Sequence, residues 1–495
     1  MTDNINIWYN LTDILNNKSG VIVMSKFNEI LVKIDNCVWG IPLIVLIIAC
    51  GILLTVRTGF LQVRKLGKSL KYMVSSEKGG NGEISSFAAL CTALSATVGT
   101  GNIVGVATAV AAGGPGALFW MEIAAFFGMA TKYAEGLLAI KYRVKDKNGN
   151  YLGGPFYYIE NGMGKGWKWL AKLFAVFGLL AGLMGIGTIT QINGITTAAN
   201  NFFDAASNHT LTVFGREYTY VTVTAGLIIT ILAALIIIGG IKRIAAVSEI
   251  IVPAMILIYV LSCLVIIICH IKEVPSAIAE IIKGAFGIRP LAGGITGFAV
   301  LKLSMRSGVA RGIFSNEAGL GSAPIASAAA KTNEPVRQGM VTMTGTFIDT
   351  IVVCTMTGLS IVMAGSYDKG LEGVNITIDA FAYGLPFPEK ISSFLLMICL
   401  TVFAFTTILG WNYYSERCLS YLTGAKKKTS TIYKWIYILA IFIGPYLTVE
   451  AVWNLADIFN GLMALPNIIA LLALSGVVAS ETKDYLSRLK KGEVK

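Results

Sequence analysis

Along most of the chain, apolar residues run in blocks of about 18 or more, separated by short polar stretches. The pattern predicts eleven membrane-crossing helices, at about 38–56, 84–114, 115–142, 167–199, 221–238, 244–268, 297–330, 338–364, 391–422, 432–448 and 450–478. The expected fold class is therefore an all-α polytopic membrane protein. A further segment, "PSAIAEIIKGAFGI", spaces its apolar residues helically but carries polar interruptions, and is expected to lie flat at the interface.

Two of these spans break the pattern from within. The second contains "TVGTGNIVG", residues 97–105, and the seventh contains "GIFSNEAGLGSAP", residues 312–324. Glycine in a helix interior costs about 1 kcal/mol relative to alanine. An unwound segment in hydrocarbon also frees N–H and C=O groups that lipid cannot satisfy. Setting the first helix aside leaves ten, divisible into five and five, with a glycine-rich helix leading each set. An odd number per set inverts the second relative to the first, the arrangement of carriers that bind substrate between broken helices. The expected divisions are an N-terminal tail (1–37), an extra helix with a basic loop (38–82), two five-helix repeats (83–270 and 271–480) and a basic tail (481–495).

Amides at the start of a half-helix suit a carboxylate, and unwound carbonyls suit a small cation. The first break adds the side-chain oxygens of Thr97, Thr100 and Asn102, and the second presents Ser315, Asn316 and Glu317. Span 4 offers Gln191 and Asn193. Span 9 offers Thr406 and Thr407, with Trp411 one turn beyond Thr407. The plainer readings are close packing through the Gly101–Gly105 spacing, a loop that merely caps helices, and hydroxyls bonded to their own backbone.

Composition strengthens the membrane assignment: 55% of residues are hydrophobic, mean hydropathy is +0.69 and only 14% are charged. The net charge of +12 is a topology signal rather than a nucleic-acid footprint. Of 40 Lys and Arg, 27 fall on the side of the odd-numbered loops and the C-terminal tail, and 9 on the other. That asymmetry predicts an N-terminus outside and a C-terminus in the cytoplasm. No basic n-region precedes an apolar stretch, so no cleaved signal is expected. Eight scattered cysteines and two isolated histidines form no metal or disulfide framework.

The stretches "ALSATVGTGNIVGVATA", "GGPGALFWMEIAAFFGMATKYAE", "GVARGIFSNEAGLGSAPIASAAAKT", "FIDT" and "ILGWNYYSERC" resemble the alanine-or-glycine:cation symporters, a branch of the amino acid transporters with LeuT-type inverted repeats. The resemblance runs from about residue 84 to the end of span 11. It implies sodium-coupled import of a small neutral amino acid across the plasma (inner) membrane, with no cofactor and sodium as the only metal. By the same resemblance Thr100 and Gly101 take the amino acid carboxylate, and Asn102 takes the amino acid or a nearby sodium. Gln191, Asn193, Phe314, Ser315, Asn316 and Trp411 line or close the substrate pocket, Phe314 as an aromatic lid. Ser95, Val98, Thr406 and Thr407 hold sodium.

Two departures stand out. The family pattern "FWMW" reads "FWME" here, placing Glu122 where a tryptophan is expected, and Gly194 stands where serine is common. Glu122 is expected to pair with Lys132, Arg306 or Arg311, or to face a water-filled cavity. Glu122 and Glu317 are thus candidate coupling carboxylates. A glutamine-preferring or proton-coupled relative remains an alternative within the family. A channel is the rival outside it. A membrane enzyme or ATP-driven pump lacks any catalytic constellation or phosphate loop in the sequence.

Overall fold

The computed structural model describes residues 28–494, apart from 76, 78, 147, 148, 208, 214, 215, 288–296 and 448. Most of the expected N-terminal tail lies outside the described residues. Eight helices among those described are long and apolar enough to cross a membrane: Asn28–Arg57, Gly116–Lys141, Lys165–Phe203, Tyr220–Ile237, Gly240–Cys269, Pro335–Ala364, Glu389–Thr423 and Asn454–Lys490. A ninth crossing results if the bent pair Ser86–Thr97 and Gly101–Gly113 counts as one. The two remaining sequence spans fall short for visible reasons. Gly297–Asn316 carries Lys302, Arg306 and Arg311, and the helix Lys427–Ile443 has only 17 residues.

Leu232, Leu235, Ile250, Leu257 and Leu261 stand exposed on the outer surface of the bundle, where only hydrocarbon would stabilise them. Inside, helices approach through small residues, as membrane packing requires. A Cβ on Gly308 would stand 2.0 Å from the Ala117 carbonyl oxygen, and one on Gly339 would stand 2.6 Å from that of Tyr133.

Both expected breaks are present. Ser85 caps the first broken helix by accepting the Ala88 N–H at 2.9 Å, and the two halves of that helix meet at 55°. The second broken helix runs Gly297–Asn316, unwinds through residues 317–322 and resumes for one turn at Ala323–Ser327. A third interruption was not among the expected ones. The 167–199 span divides into Lys168–Met184 and Ile189–Phe203, where Gly187 passes so close to Trp411 that a Cβ would lie 2.5 Å from its Cβ. π-helical turns occupy Gly101–Gly105 and Phe347–Cys354.

Other segments are more ordered than their polarity suggests. Among the described residues the first helix is already formed at residue 28, inside the stretch assigned to a tail. The loop near "GVNITIDAF" contains the helix Val374–Gly384. The last helix runs from Val449 to Lys490 and takes in most of the basic tail, which Arg488 docks onto Glu334 at 2.8 and 2.9 Å. The expected interfacial helix forms at Val274–Ala285, burying Ala277, Ile281 and Ala285.

The start of the first broken helix meets the end of the second at one end of the bundle. There Ile84 pairs with Ala330 in a parallel bridge, and Lys331 N–H donates to the Ile84 carbonyl at 2.8 Å. Arg143 fastens this junction by donating to the carbonyls of Ala328, Ala330, Asn81 and Thr332 at 2.6 to 3.0 Å.

Candidate functional site between two interrupted helices

At the first break one asparagine rewires the backbone. In a continuous helix the Gly99 N–H would donate to the Ser95 carbonyl and the Asn102 N–H to the Val98 carbonyl. Here Gly99 N–H donates to Asn102 Oδ1 at 2.9 Å, and Asn102 N–H donates to the Gly99 carbonyl at 3.3 Å. The carbonyls of Ser95 and Val98 are thereby released from those partners.

The helix Glu389–Thr423 packs against this spot. A Cβ on Gly99 would lie 2.5 Å from Thr407 Oγ1, and one on Gly410 would lie 2.8 Å from Ser95 Oγ. Thr406 and Thr407 hydroxyls both donate to the Phe403 carbonyl at 3.0 Å, and Ser95 Oγ donates to the Thr92 carbonyl at 2.8 Å. Their protons point into their own helices, which leaves oxygen lone pairs free to face a cation. The Ser95–Gly99 stretch, which includes Val98, thus lies against Thr407 and Gly410. Thr406 turns toward Met255, with Oγ1 at 3.6 Å from its sulfur. Released carbonyls and hydroxyls are hard oxygen donors, the ligand set a sodium ion requires.

The second break is tied to the first through a residue that sequence reasoning did not single out. Asp349, fully buried on the π-helical turn of the Pro335–Ala364 helix, accepts from three side chains. They are Asn102 Nδ2 at 2.8 Å, Ser315 Oγ at 2.9 Å and Thr350 Oγ1 at 2.8 Å. Asn316 Nδ2 in turn donates to Thr350 Oγ1 at 3.1 Å. The missed signal was a carboxylate inside an apolar span, within the quoted stretch "FIDT".

Glu317 stands elsewhere. It adopts φ +54°, in the left-handed region, and accepts from Trp411 Nε1 at 3.1 Å and from the Ser322 hydroxyl. Glu135 braces the same unwound segment, accepting from Gly321 N–H at 3.1 Å and Asn467 Nδ2 at 2.7 Å. Trp411 therefore packs under the second break with Glu317 and does not line the cavity above it. Glu122 has a hydroxyl partner, Thr355 Oγ1 at 2.8 Å, rather than Lys132, Arg306 or Arg311.

Beside the breaks, toward the end of the bundle opposite the Arg143 junction, lies a cavity of about 290 Å³. Thr100, Gly101, Val104, Gly105, Thr108 and Phe314 form its floor and walls, with Asp35, Arg311, Asn454 and Asp457 at its rim. A Cβ on Gly101 would lie 3.5 Å from Ser315 Cα and 3.7 Å from the Phe314 ring, in ordinary contact, so a methyl fits there and a longer side chain would project against the second broken helix. Thr100 Oγ1 donates to Gln191 Oε1 at 3.3 Å. Asn193 turns away, donating to the Ile189 and Gly444 carbonyls at 2.9 and 3.0 Å. Gly194 faces Thr100, with a Cβ position 3.1 Å from Thr100 Cγ2.

A bundle of apolar helices, two of them interrupted where buried polar groups and a cavity meet, has the architecture of a multi-pass membrane transporter. Residues 24–495 match the model of the sodium:alanine symporter family, and the chain belongs to that family. It is 45% identical over 478 residues to the sodium/alanine symporter AgcS of Methanococcus maripaludis, covering 95% of this chain and 99% of that protein. An uncharacterized transporter of Haemophilus influenzae is 54% identical over 463 residues, covering 93% and 97%. The probable sodium/glutamine symporter GlnT of Bacillus subtilis is 38% identical over 473 residues, covering 95% and 93%. Among solved structures, MhsT in complex with L-phenylalanine is similar in fold at a TM-score of 0.50 and 13% identity, covering 82% of this chain and 99% of that one.

Proposed function

We propose that the protein imports a small neutral amino acid, alanine or glycine, together with sodium, by alternating access. Eleven crossings arise when the second broken helix and the Lys427–Ile443 helix join the nine, and the ten after the first form a five-plus-five inverted repeat. The Arg143 junction then faces the cytoplasm, closed, and the cavity over Thr100 and Gly101 faces outward. The N-terminus lies outside.

The observation that carries this reading is the position of Asn102. Its Oδ1 holds the Gly99 N–H that would otherwise occupy the Ser95 carbonyl, and its Nδ2 holds Asp349, to which Ser315 of the second broken helix is also bonded. Sodium settling among Ser95, Val98 and Thr407 fixes the first break, and Asn102 transmits that order to the second. The amino acid carboxylate meets amides of Thr100 and Gly101, under the Phe314 ring. Each ligand then raises the other's affinity by the same factor, so the sodium gradient drives uptake.

The test is uptake of labelled alanine, glycine and glutamine into proteoliposomes, with and without an inward sodium gradient. Sodium-dependent accumulation of alanine or glycine supports the reading. Accumulation of glutamine alone would overturn the substrate assignment and leave the mechanism. A proton-coupled reading is favoured by Glu122, whose partner is a hydroxyl rather than a cation. Uptake driven by a proton gradient without sodium, and lost in Glu122→Gln, would establish it.

A further inference from the structure

Above Phe314 the cavity rim carries charges of both signs that no direct ion pair joins among the described residues. Arg311 lies one turn before Phe314, and its guanidinium stands 5.7 Å from that ring. Asp35, from the extra first helix, and Asp457, from the last helix, line the same cavity and share a second, adjoining one of about 230 Å³ with Arg311. Each presents a buried Oδ1 without a hydrogen-bond partner. Both lie within the electrostatic reach of Arg311, yet among the described residues no ion pair joins Arg311 to either.

The wall that holds these charges is fixed. Trp39 Nε1 donates to the Asp457 carbonyl at 2.9 Å, Arg306 donates to Asn36 Oδ1 at 2.9 Å, and Asn454 donates to Asn28 Oδ1 at 2.8 Å. The first helix is thereby stitched to the last helix and to the outer half of the second broken helix. A separated cation and carboxylate pair in a partly dry cleft offers little to a lone anion or cation, since either leaves one wall uncompensated. A small zwitterion satisfies both.

We propose that Arg311, Asp35 and Asp457 form an outer recognition site for zwitterionic amino acids, with Arg311 taking the carboxylate and the two aspartates the ammonium. The molecule pauses there before it descends past Phe314 to Thr100 and Gly101. The extra first helix is then a working part of the pathway and not a membrane anchor. This inference rests on the amino acid symport proposed above.

A site on the way in lowers the barrier in both directions and leaves equilibrium binding at the central site unchanged. Association, dissociation and equilibrium binding of labelled alanine should be measured in sodium on the full-length protein in lipid nanodiscs. Wild type is compared with Arg311→Gln, Asp35→Asn and Asp457→Asn, and with Gly101→Leu as the central-site control. We expect the rim variants to slow association about tenfold or more and dissociation by a like factor, with Kd unchanged. Unchanged association, or faster dissociation alone, would overturn the proposal; the second result would make Arg311 only a closing latch. Asp35→Asn lies outside both broken helices, so it carries the test should Arg311→Gln fail to fold. If wild type binds none of alanine, glycine or glutamine in sodium, the symport reading itself fails, and that result is separable from the rim variants.

Discussion

Asn102 and Asp349 meet side chain to side chain, Nδ2 to Oδ1 at 2.8 Å, in a centre where neither is exposed. Asn102 belongs to the first broken helix and Asp349 to the helix that also carries Thr350. Ser315 of the second broken helix closes the set. A buried carboxylate with three donors holds both interruptions in register.

Replacing that carboxylate by its amide keeps the shape and removes the charge. Asp349→Asn should raise the sodium concentration for half-maximal uptake about tenfold or more, since hydrogen bonds to a charged group contribute about 1.5–3 kcal/mol each. A sodium titration of alanine uptake checks this, and an unchanged midpoint would remove Asp349 from the coupling path.

Thr407 sits against Gly99, where a Cβ would stand 2.5 Å from its hydroxyl. Thr407→Ala should weaken sodium dependence several-fold while largely preserving maximal transport. An unaltered half-saturation for sodium would argue that the Ser95–Val98–Thr407 space holds no cation.

Gly101 admits the Phe314 ring and the Ser315 backbone at van der Waals distance. Gly101→Leu should abolish amino acid binding while the protein still elutes as a folded species in detergent. Retained binding would count against amides at this break as the carboxylate site.

Gly194 gives Thr100 its clearance. Gly194→Ser should press on Thr100, which lines the cavity, and so disfavour a larger substrate by a factor of about 10, the scale of one or two methylenes in a confined pocket. Competition of glutamine and glycine against labelled alanine reads this directly.

Arg143 donates to four carbonyls at the junction of the two broken helices. Arg143→Ala should speed hydrogen exchange at the amides of Glu83, Ile84 and Lys331 by about tenfold, because those bonds would open locally without global unfolding. Exchange at the amides of the Gly116–Lys141 helix serves as the internal control.

The sequence exposed the breaks because glycine clusters and consecutive polar residues have no stable place in hydrocarbon. "TVGTGNIVG" and "SNEAGLG" therefore announced themselves. The Ser95 and Val98 carbonyls were reached only through the family resemblance. Asp349 was harder, since one acid in an apolar span says only that it has partners and not which ones. The break at 185–188 was not anticipated, although Gly182, Gly185 and Gly187 cluster there. Its cause is the approach of Trp411 and the hydroxyl of Tyr437, which donates to the Gly187 carbonyl at 2.6 Å, and both come from helices more than 200 residues away.

By itself, then, the sequence determined the membrane environment, the helix-rich architecture, the positions of two interrupted helices and the family. These follow from local hydropathy, backbone propensity and motif. Only the tertiary structure decided that Asn193 and Trp411 turn from the cavity, that Glu122 binds a hydroxyl, and that the first helix brings Asp35 to Arg311. Side-chain direction depends on which helices pack together, and long-range packing is not written in any single stretch of residues.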